Sequence, residues 1–264
     1  MEPDEYGNIF ALEESYWWYR GLRELAAREL RRFLAEAPGR NTVPDGAARS
    51  RPLRILDAGC GTGGMLLRLE DLGSVHGLDF SPLAVAYAAR RRPWPLVRGS
   101  VSRLPYREGS FDAVVSLDVL YHRGVADDLE ALREFRRCLA SGGLVLLNLP
   151  AYEALRSSHD EAVHTARRYT RPGLVKLLRA AGLQPLRVTY WNTLLFPALA
   201  LVRRLRRGGH GSDVGGLPPA LNAGLGAVLA LERGWLRWAD CPFGLSLMAV
   251  AARPSSPSSP AARP

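Results

Sequence analysis

Cysteine is scarce in this 264-residue chain: Cys60, Cys138 and Cys241 lie far apart, with no CxxC pair among them. That spacing argues against a disulfide framework and a thiolate zinc site and fits a reducing compartment, so no metal is expected. Long apolar runs are missing as well. The most apolar stretches, TLLFPALALV and LGAVLAL, fall short of the roughly 20 residues that cross a bilayer. The opening MEPDEYGN has no basic segment followed by an apolar one, so no secretory signal is expected and a cytoplasmic location is. Lysine is nearly absent: Lys176 is the single one among 35 basic residues, yet the formal charge is +9. Basicity of this kind suits a nucleic acid or an anionic membrane. A one-sided choice of arginine is also what a GC-rich coding sequence produces, so the charge alone names no partner.

Apolar residues make up 47% of the chain, enough for a sizeable core. SYWWYRGLRELAARELRRFLAEA places Leu22, Leu25, Ala26, Leu30, Phe33 and Leu34 at helical spacing with arginines opposite. PGRNTVPDGAARSRP then loses all periodicity and reads as a linker over residues 40–52. Beyond it strand and helix patterns alternate: strand LRILDAG, helix GGMLLRLEDLG, strand SVHGLDF, a helix opened by Ser81-Pro82, strand PLVRG, strand FDAVVSLDVL, helix DDLEALREFRRCLASGG and strand LVLLNLP. Such alternation predicts an α/β protein with a mostly parallel sheet covered on both faces. Further on, Thr170 is placed to cap a helix over RPGLVKLLRAAG, and LQPLRVTYW and GLSLMAVAAR read as strands. Two amphipathic helices are expected at 193–207 and 218–239, within an insertion spanning 192–243. RPSSPSSPAARP, residues 253–264, has the composition of a disordered tail.

The stretch ILDAGCGTGG, residues 55–64, poses the functional question. A glycine-rich turn between a strand and its helix lets backbone approach a ligand closely. Gly59-x-Gly61-x-x-Gly64 has the dinucleotide spacing, but the carboxylate Asp57 ends the strand where a dinucleotide fold keeps an apolar residue. Asp79 ends the second strand, where ribose hydroxyls are met in either case.

Taken together, ILDAGCGTGG, HGLDFSP, LPYREGSFDAVVSLDVLYH and LREFRRCLASGGLVLLNLP resemble, in order and spacing, the motifs of class I S-adenosylmethionine-dependent methyltransferases of the type 11 small-molecule group. The resemblance covers residues 53–150 closely and the flanks more loosely. It implies a Rossmann-like seven-stranded sheet, mostly parallel with an antiparallel last strand, over residues 53–252, and a lid helix over residues 1–39. It implies S-adenosylmethionine as cofactor. Gly59, Gly61 and Gly63 would underlie its methionine portion together with Cys60, and Asp57 would anchor the loop or the amino group. Asp79 would accept from the ribose hydroxyls and Phe80 would pack on adenine. Ser100 stands where the family often has an aspartate on the adenine amine, with Val101 next to it. Ser116, Leu117 and Asp118 would line the far side, mostly through backbone. From the lid helix, Arg20 would meet the methionine carboxylate, and the aromatic run including Tyr16 would shield the sulfonium.

Methyl transfer to oxygen, carbon or protonated nitrogen needs a base, and histidine suits neutral pH. His122 follows the fourth strand; His159 and His164 follow the fifth. These three are the catalytic candidates. The expected partner is a small or medium-sized, partly apolar acceptor, with no nucleic acid. Arg203, Arg204, Arg206 and Arg207 end an apolar segment, and a membrane-surface enzyme acting on a quinone or lipid is the rival enzyme reading. A non-catalytic cofactor-binding protein is the rival from another class.

Overall fold

The computed structural model describes residues 3–36, 51–156, 160–161, 164–198 and 217–255. Seven strands form one sheet: β1 (Leu53–Ala58), β2 (Gly73–Asp79), β3 (Leu96–Arg98), β4 (Phe111–Leu117), β5 (Leu139–Pro150), β6 (Gln184–Trp191) and β7 (Ser246–Ala252). Their order is β3-β2-β1-β4-β5-β7-β6. β1 pairs in parallel with β2 and β4, and β4 with β5, whereas β7 runs antiparallel between β5 and β6. The expected fold class is therefore observed, antiparallel last strand included. Consecutive residues along β4 and β5 are buried. Since successive side chains point to opposite faces, both faces of the sheet are covered.

The helices are α1 (Pro3–Leu12), α2 (Trp17–Glu36), α3 (Leu66–Leu69), α4 (Pro82–Ala89), α5 (Asp128–Cys138), α6 (Arg171–Ala180) and α7 (Pro219–Trp235). Ser81 caps α4 by accepting from the Ala84 amide, with Pro82 in the first turn. Asp127 caps α5 through the amides of Leu129 and Glu130. Acids in the first turn of α5 and arginines in its last complement the helix dipole. Thr170 caps α6 through the Gly173 amide.

Four local expectations are corrected. The single lid helix expected over 1–39 is instead two, α1 and α2, separated at residues 13–16; tertiary contacts hold α1, with the Phe10 and Tyr87 rings 5.1 Å apart and Arg91 4.4 Å over Phe10. The helix after the glycine loop shrinks to the single turn of α3, because β2 already begins at Gly73. β4 stops at Leu117, since Asp118 takes a left-handed backbone with φ 59°. α5 ends at Cys138, and Leu139 already pairs with Phe111 across a register shift in the ladder. The helix expected over 193–207 falls largely outside the described residues, as do most of the 40–52 linker and residues 256–264. Arg253, assigned by composition to the tail, instead bonds the Leu139 carbonyl at 2.7 Å and pairs with Glu108.

α2 packs on β5, β7, α3 and α7. Against α7 it presents Gly21, where an added Cβ would lie 2.5 Å from a Leu229 methyl. The Trp17 amide donates to Asn222, Arg28 to the Arg233 carbonyl, and Arg233 pairs with Glu24.

Candidate functional site

The glycine loop leaves β1 at the carboxyl edge of the sheet, beside the switch point between β1 and β4 where open α/β sheets hold ligands. Three glycines, Gly59, Gly61 and Gly63, are required by conformation, the last with φ 87°. Gly59 has φ 95° with Val119 packed onto it, and Gly61 has φ 53°. A Cβ on Gly61 would meet no protein atom within 4 Å, so the outer side of the loop is open to a ligand. The Gly59 and Cys60 amides both donate to the Leu78 carbonyl, which ties the loop to β2.

Three carboxylates surround this loop. Asp79 is fixed by the Gly61 amide on one oxygen and the Ser81 amide on the other, each at 2.9 Å. Asp57 is buried, and its Oδ2 has no hydrogen-bond partner. Burial, followed by Asp79 and Glu13, pushes its pKa up to about 8. Glu13, on the turn between α1 and α2, is also buried. It accepts from Arg23 at 3.1 Å and from Thr62 and Arg91. Arg91 also donates to the Thr62 carbonyl at 2.7 Å. This ionic cluster clamps α1, α2 and α4 onto the loop, and Gly64 is small because the Arg23–Glu13 pair occupies the space where its Cβ would be.

A buried acid with no partner, beside two more acids and an open glycine loop, fits a cationic ligand. A group such as S-adenosylmethionine, with a sulfonium and an ammonium, would relieve the electrostatic frustration. Asp57 makes this measurable in the ligand-free protein. An acid whose folded pKa is raised is protonated in the native chain while its unfolded counterpart is ionised. Its contribution to stability is therefore greatest below the unfolded pKa near 4, declines as pH rises, and levels off only above about 8. Urea melts at pH 5 to 8 should show wild-type stability falling with pH, by at most about 1.4 kcal/mol per pH unit from this group. Asp57→Asn should flatten that slope, and an unchanged slope in the variant would refute the assignment.

The remaining sequence-expected residues distribute unevenly. Phe80 presents a ring that is 74% exposed next to Asp79. The Cys60 thiol turns inward toward Gly77, leaving only its backbone in the loop. Ser100 accepts from the Ser102 amide, so its hydroxyl caps its own turn, while Val101 is buried and Leu117 partly so. Gly63 packs against Ala88 and Trp94 instead of facing open space. Arg20 lies on the outer side of α2, 54% exposed and 3.9 Å from Glu24. The arginine that α2 turns toward the loop is Arg23, and its buried Nη2 has no partner. The Tyr16 and Tyr19 rings lie 6.0 Å apart, tilted by 51° to each other.

On the far side of the edge, the start of α2 lies over the ends of β4 and β5. Trp18 stacks on Trp191, rings 4.8 Å apart. Trp191 donates to Asn148 Oδ1 at 2.7 Å, and Asn148 Nδ2 donates to Asp118 Oδ1 at 2.9 Å. Burial pushes the Asp118 pKa up to about 7 against the lowering effect of Asn148. Asp118 is surrounded by protein yet keeps accessible surface, as a residue lining an internal space does. Both Tyr19 and Tyr121 are raised by burial first and by Asp118 second, which places them around it.

His122 and His164 come together, rings 5.7 Å apart and nearly perpendicular, across a bridge between His122 and Thr165. His122 Nδ1 accepts from the Gly124 amide at 3.0 Å, and its pKa is lowered by burial, with His164 and Arg123 adding to this. His159 lies outside the described residues. Asp160, close by in sequence, pairs with Arg168. No group of three or more metal-ligating side chains occurs among the described residues.

Residues 56–147 match the family model described as a methyltransferase domain. The chain is 37% identical over 130 residues to the demethylmenaquinone methyltransferase of Thermus thermophilus, covering 45% of this chain and 57% of that protein. It is 30% identical over 177 residues to a protein of Mycolicibacterium smegmatis named as a probable S-adenosylmethionine-dependent methyltransferase, covering 65% of this chain and 61% of that one. The chain thus spans about three fifths of the length of these curated relatives. Among solved structures, the complex of the Haloferax volcanii Trm112 methyltransferase activator with a methyltransferase matches with TM-score 0.57 and 20% identity, covering 95% of this chain and 98% of that one. That likeness is one of fold. With the glycine loop, the acids at the ends of β1 and β2 and the 3-2-1-4-5-7-6 sheet, residues 56–147 form a methyltransferase domain of the class I S-adenosylmethionine-dependent kind.

Proposed function

We propose that this protein transfers a methyl group from S-adenosylmethionine to a small or medium-sized, partly apolar acceptor bearing a hydroxyl or amine. The observation that carries the acceptor half is Asp118, a carboxylate held by Asn148 at the carboxyl edge beneath the aromatic start of α2. When bound, the cofactor supplies an activated methyl group on a cationic sulfur. Asp79 and Phe80 would hold its sugar and base, the loop from Gly59 to Gly63 would hold the amino-acid portion, and Asp57 and Arg23 would answer its ammonium and carboxylate. Tyr16, Trp18 and Tyr19 exclude water, so residues 1–39 act as a cover on the 53–252 domain. Asp118 Oδ2, left over from the bond to Asn148, takes the proton from the acceptor as its nucleophile is alkylated. The His122–His164 pair is the alternative proton acceptor.

Positioning of this sort supplies most of the rate in a displacement whose driving force resides in the cofactor. The cofactor half is tested separately. Bonds from a carboxylate to two ribose hydroxyls are each worth about 1.5–3 kcal/mol. Asp79→Ala should therefore weaken S-adenosylhomocysteine binding at least tenfold by calorimetry; binding within twofold of wild type would exclude Asp79 from the site. Turnover of methyl-labelled cofactor against a panel of apolar phenols, amines and carboxylic acids then identifies the acceptor.

A further inference from the structure

α7 is apolar on its outward side as well as where Leu229 packs inward. Its polar side chains turn toward the protein: Asn222 accepts from the Trp17 amide and donates to the Ser15 carbonyl, and Glu232, 3% exposed, accepts from the Thr193 and Leu194 amides at 2.8 and 2.9 Å. Every residue that α7 exposes is apolar or glycine, among them Leu221, Leu231 (70% exposed) and Trp235 (61%). The chain following the helix continues this face with Trp238, 89% exposed, and the exposed Arg237 stands between the two tryptophans. A surface helix of a globular protein ordinarily has the opposite arrangement, and a contiguous exposed apolar patch marks an interaction site. Leu231 and Trp235 also border a cavity of about 450 Å³, lined further by Leu194 and Pro242.

Charge selects the partner. Residues 217–240 hold two arginines, Arg233 paired with Glu24 and Arg237 exposed, and two acids. Of these acids, Glu232 is buried and Asp240 is bonded to Arg187 at 2.8 Å. An apolar helix face ending in paired tryptophans with an arginine between them matches the boundary between headgroups and acyl chains, where tryptophan rings concentrate. We propose that the outward face of α7, with Trp235 and Trp238, docks on the surface of an anionic lipid bilayer. The helix lies in the interface and does not span it; none of the described helices is long and apolar enough to cross a membrane. The cavity beneath Leu231 and Trp235 accommodates an apolar chain at that surface. The docking surface stands independently of the acceptor and of the catalytic reading.

The test is co-sedimentation of the full chain with vesicles of phosphatidylglycerol and phosphatidylcholine, and with phosphatidylcholine alone, alongside size-exclusion chromatography without lipid. The expected result is binding to the anionic vesicles that weakens at least fivefold on phosphatidylcholine alone. Leu231→Glu and Trp238→Ser should each reduce it at least tenfold, while S-adenosylhomocysteine binding and thermal melting stay at wild-type values. Failure of the wild-type chain to sediment with anionic vesicles overturns the proposal, as does equal binding by both variants. So does a lipid-free dimer that Leu231→Glu dissociates, since a second copy would then cover the face.

Discussion

Replacing Asp118 with asparagine is expected to cut kcat by about two to four orders of magnitude, the range for loss of a general base, while the protein remains folded and binds S-adenosylhomocysteine as tightly as before. The fold should tolerate the change because Asp118 has φ 59° and asparagine, like aspartate, is among the residues that adopt this backbone with least strain. What disappears is the ionisable oxygen. A base must be ionised to act, and burial holds the Asp118 carboxyl near 7. The groups facing it are Tyr19 from α2, Tyr121 from the following turn and Asn148 from β5. None carries a positive charge that would draw the pKa down. Activity of the wild type should therefore fall as pH drops through about 7, with the bound sulfonium moving that limb toward lower pH. In Asp118→Asn the limb should vanish with the rate. If the variant keeps both kcat and the limb, Asp118 is not the proton acceptor. A loss confined to variants of His122 or His164 would assign the step to that pair.

The largest effect on stability is expected at Glu13. Glu13→Ala should lower the unfolding free energy by about 3–5 kcal/mol, the cost of removing one member of a buried ionic cluster. The carboxylate lies among Arg23, whose side chain is 4% exposed, Arg91 at 11% and the Thr62 hydroxyl. Removing it leaves Arg23 and Arg91 to share the half-exposed Glu14 as their acid partner. Urea melts measure the loss, and a change under 1 kcal/mol would show the cluster to be solvated. Because Glu13 joins the α1–α2 turn to the glycine loop, cofactor affinity should fall along with stability.

The sheet was legible because the strands carry their own apolar runs and three of the described helices carry side-chain caps, at Ser81, Asp127 and Thr170. The elements that were not legible depend on distant partners. α1 gains its stability from Tyr87 and Arg91, some 80 residues away. Asp57 and Asp79 were readable because they end strands. Asp118 was not readable as more than a backbone liner, because a left-handed residue inside SLDVL is invisible in a run that reads as strand. Arg23 had a signal that went unused. It falls on the same helical stripe as the buried Ala26, Ala27 and Leu30, and an arginine in an apolar stripe requires an acid. Glu13 and Glu14 stand one helix turn upstream of α2 and supply it.

The contact at Gly21 joins two regions otherwise treated separately. With a Leu229 methyl seated where a side chain would begin on Gly21, the Leu229 side chain of α7 rests directly on α2, and the two helices are further tied through Asn222 and Glu24. They form a single stiff bracket, one arm roofing the reaction chamber and the other facing outward. A force applied to the outer arm has no slack to absorb it before it reaches the roof.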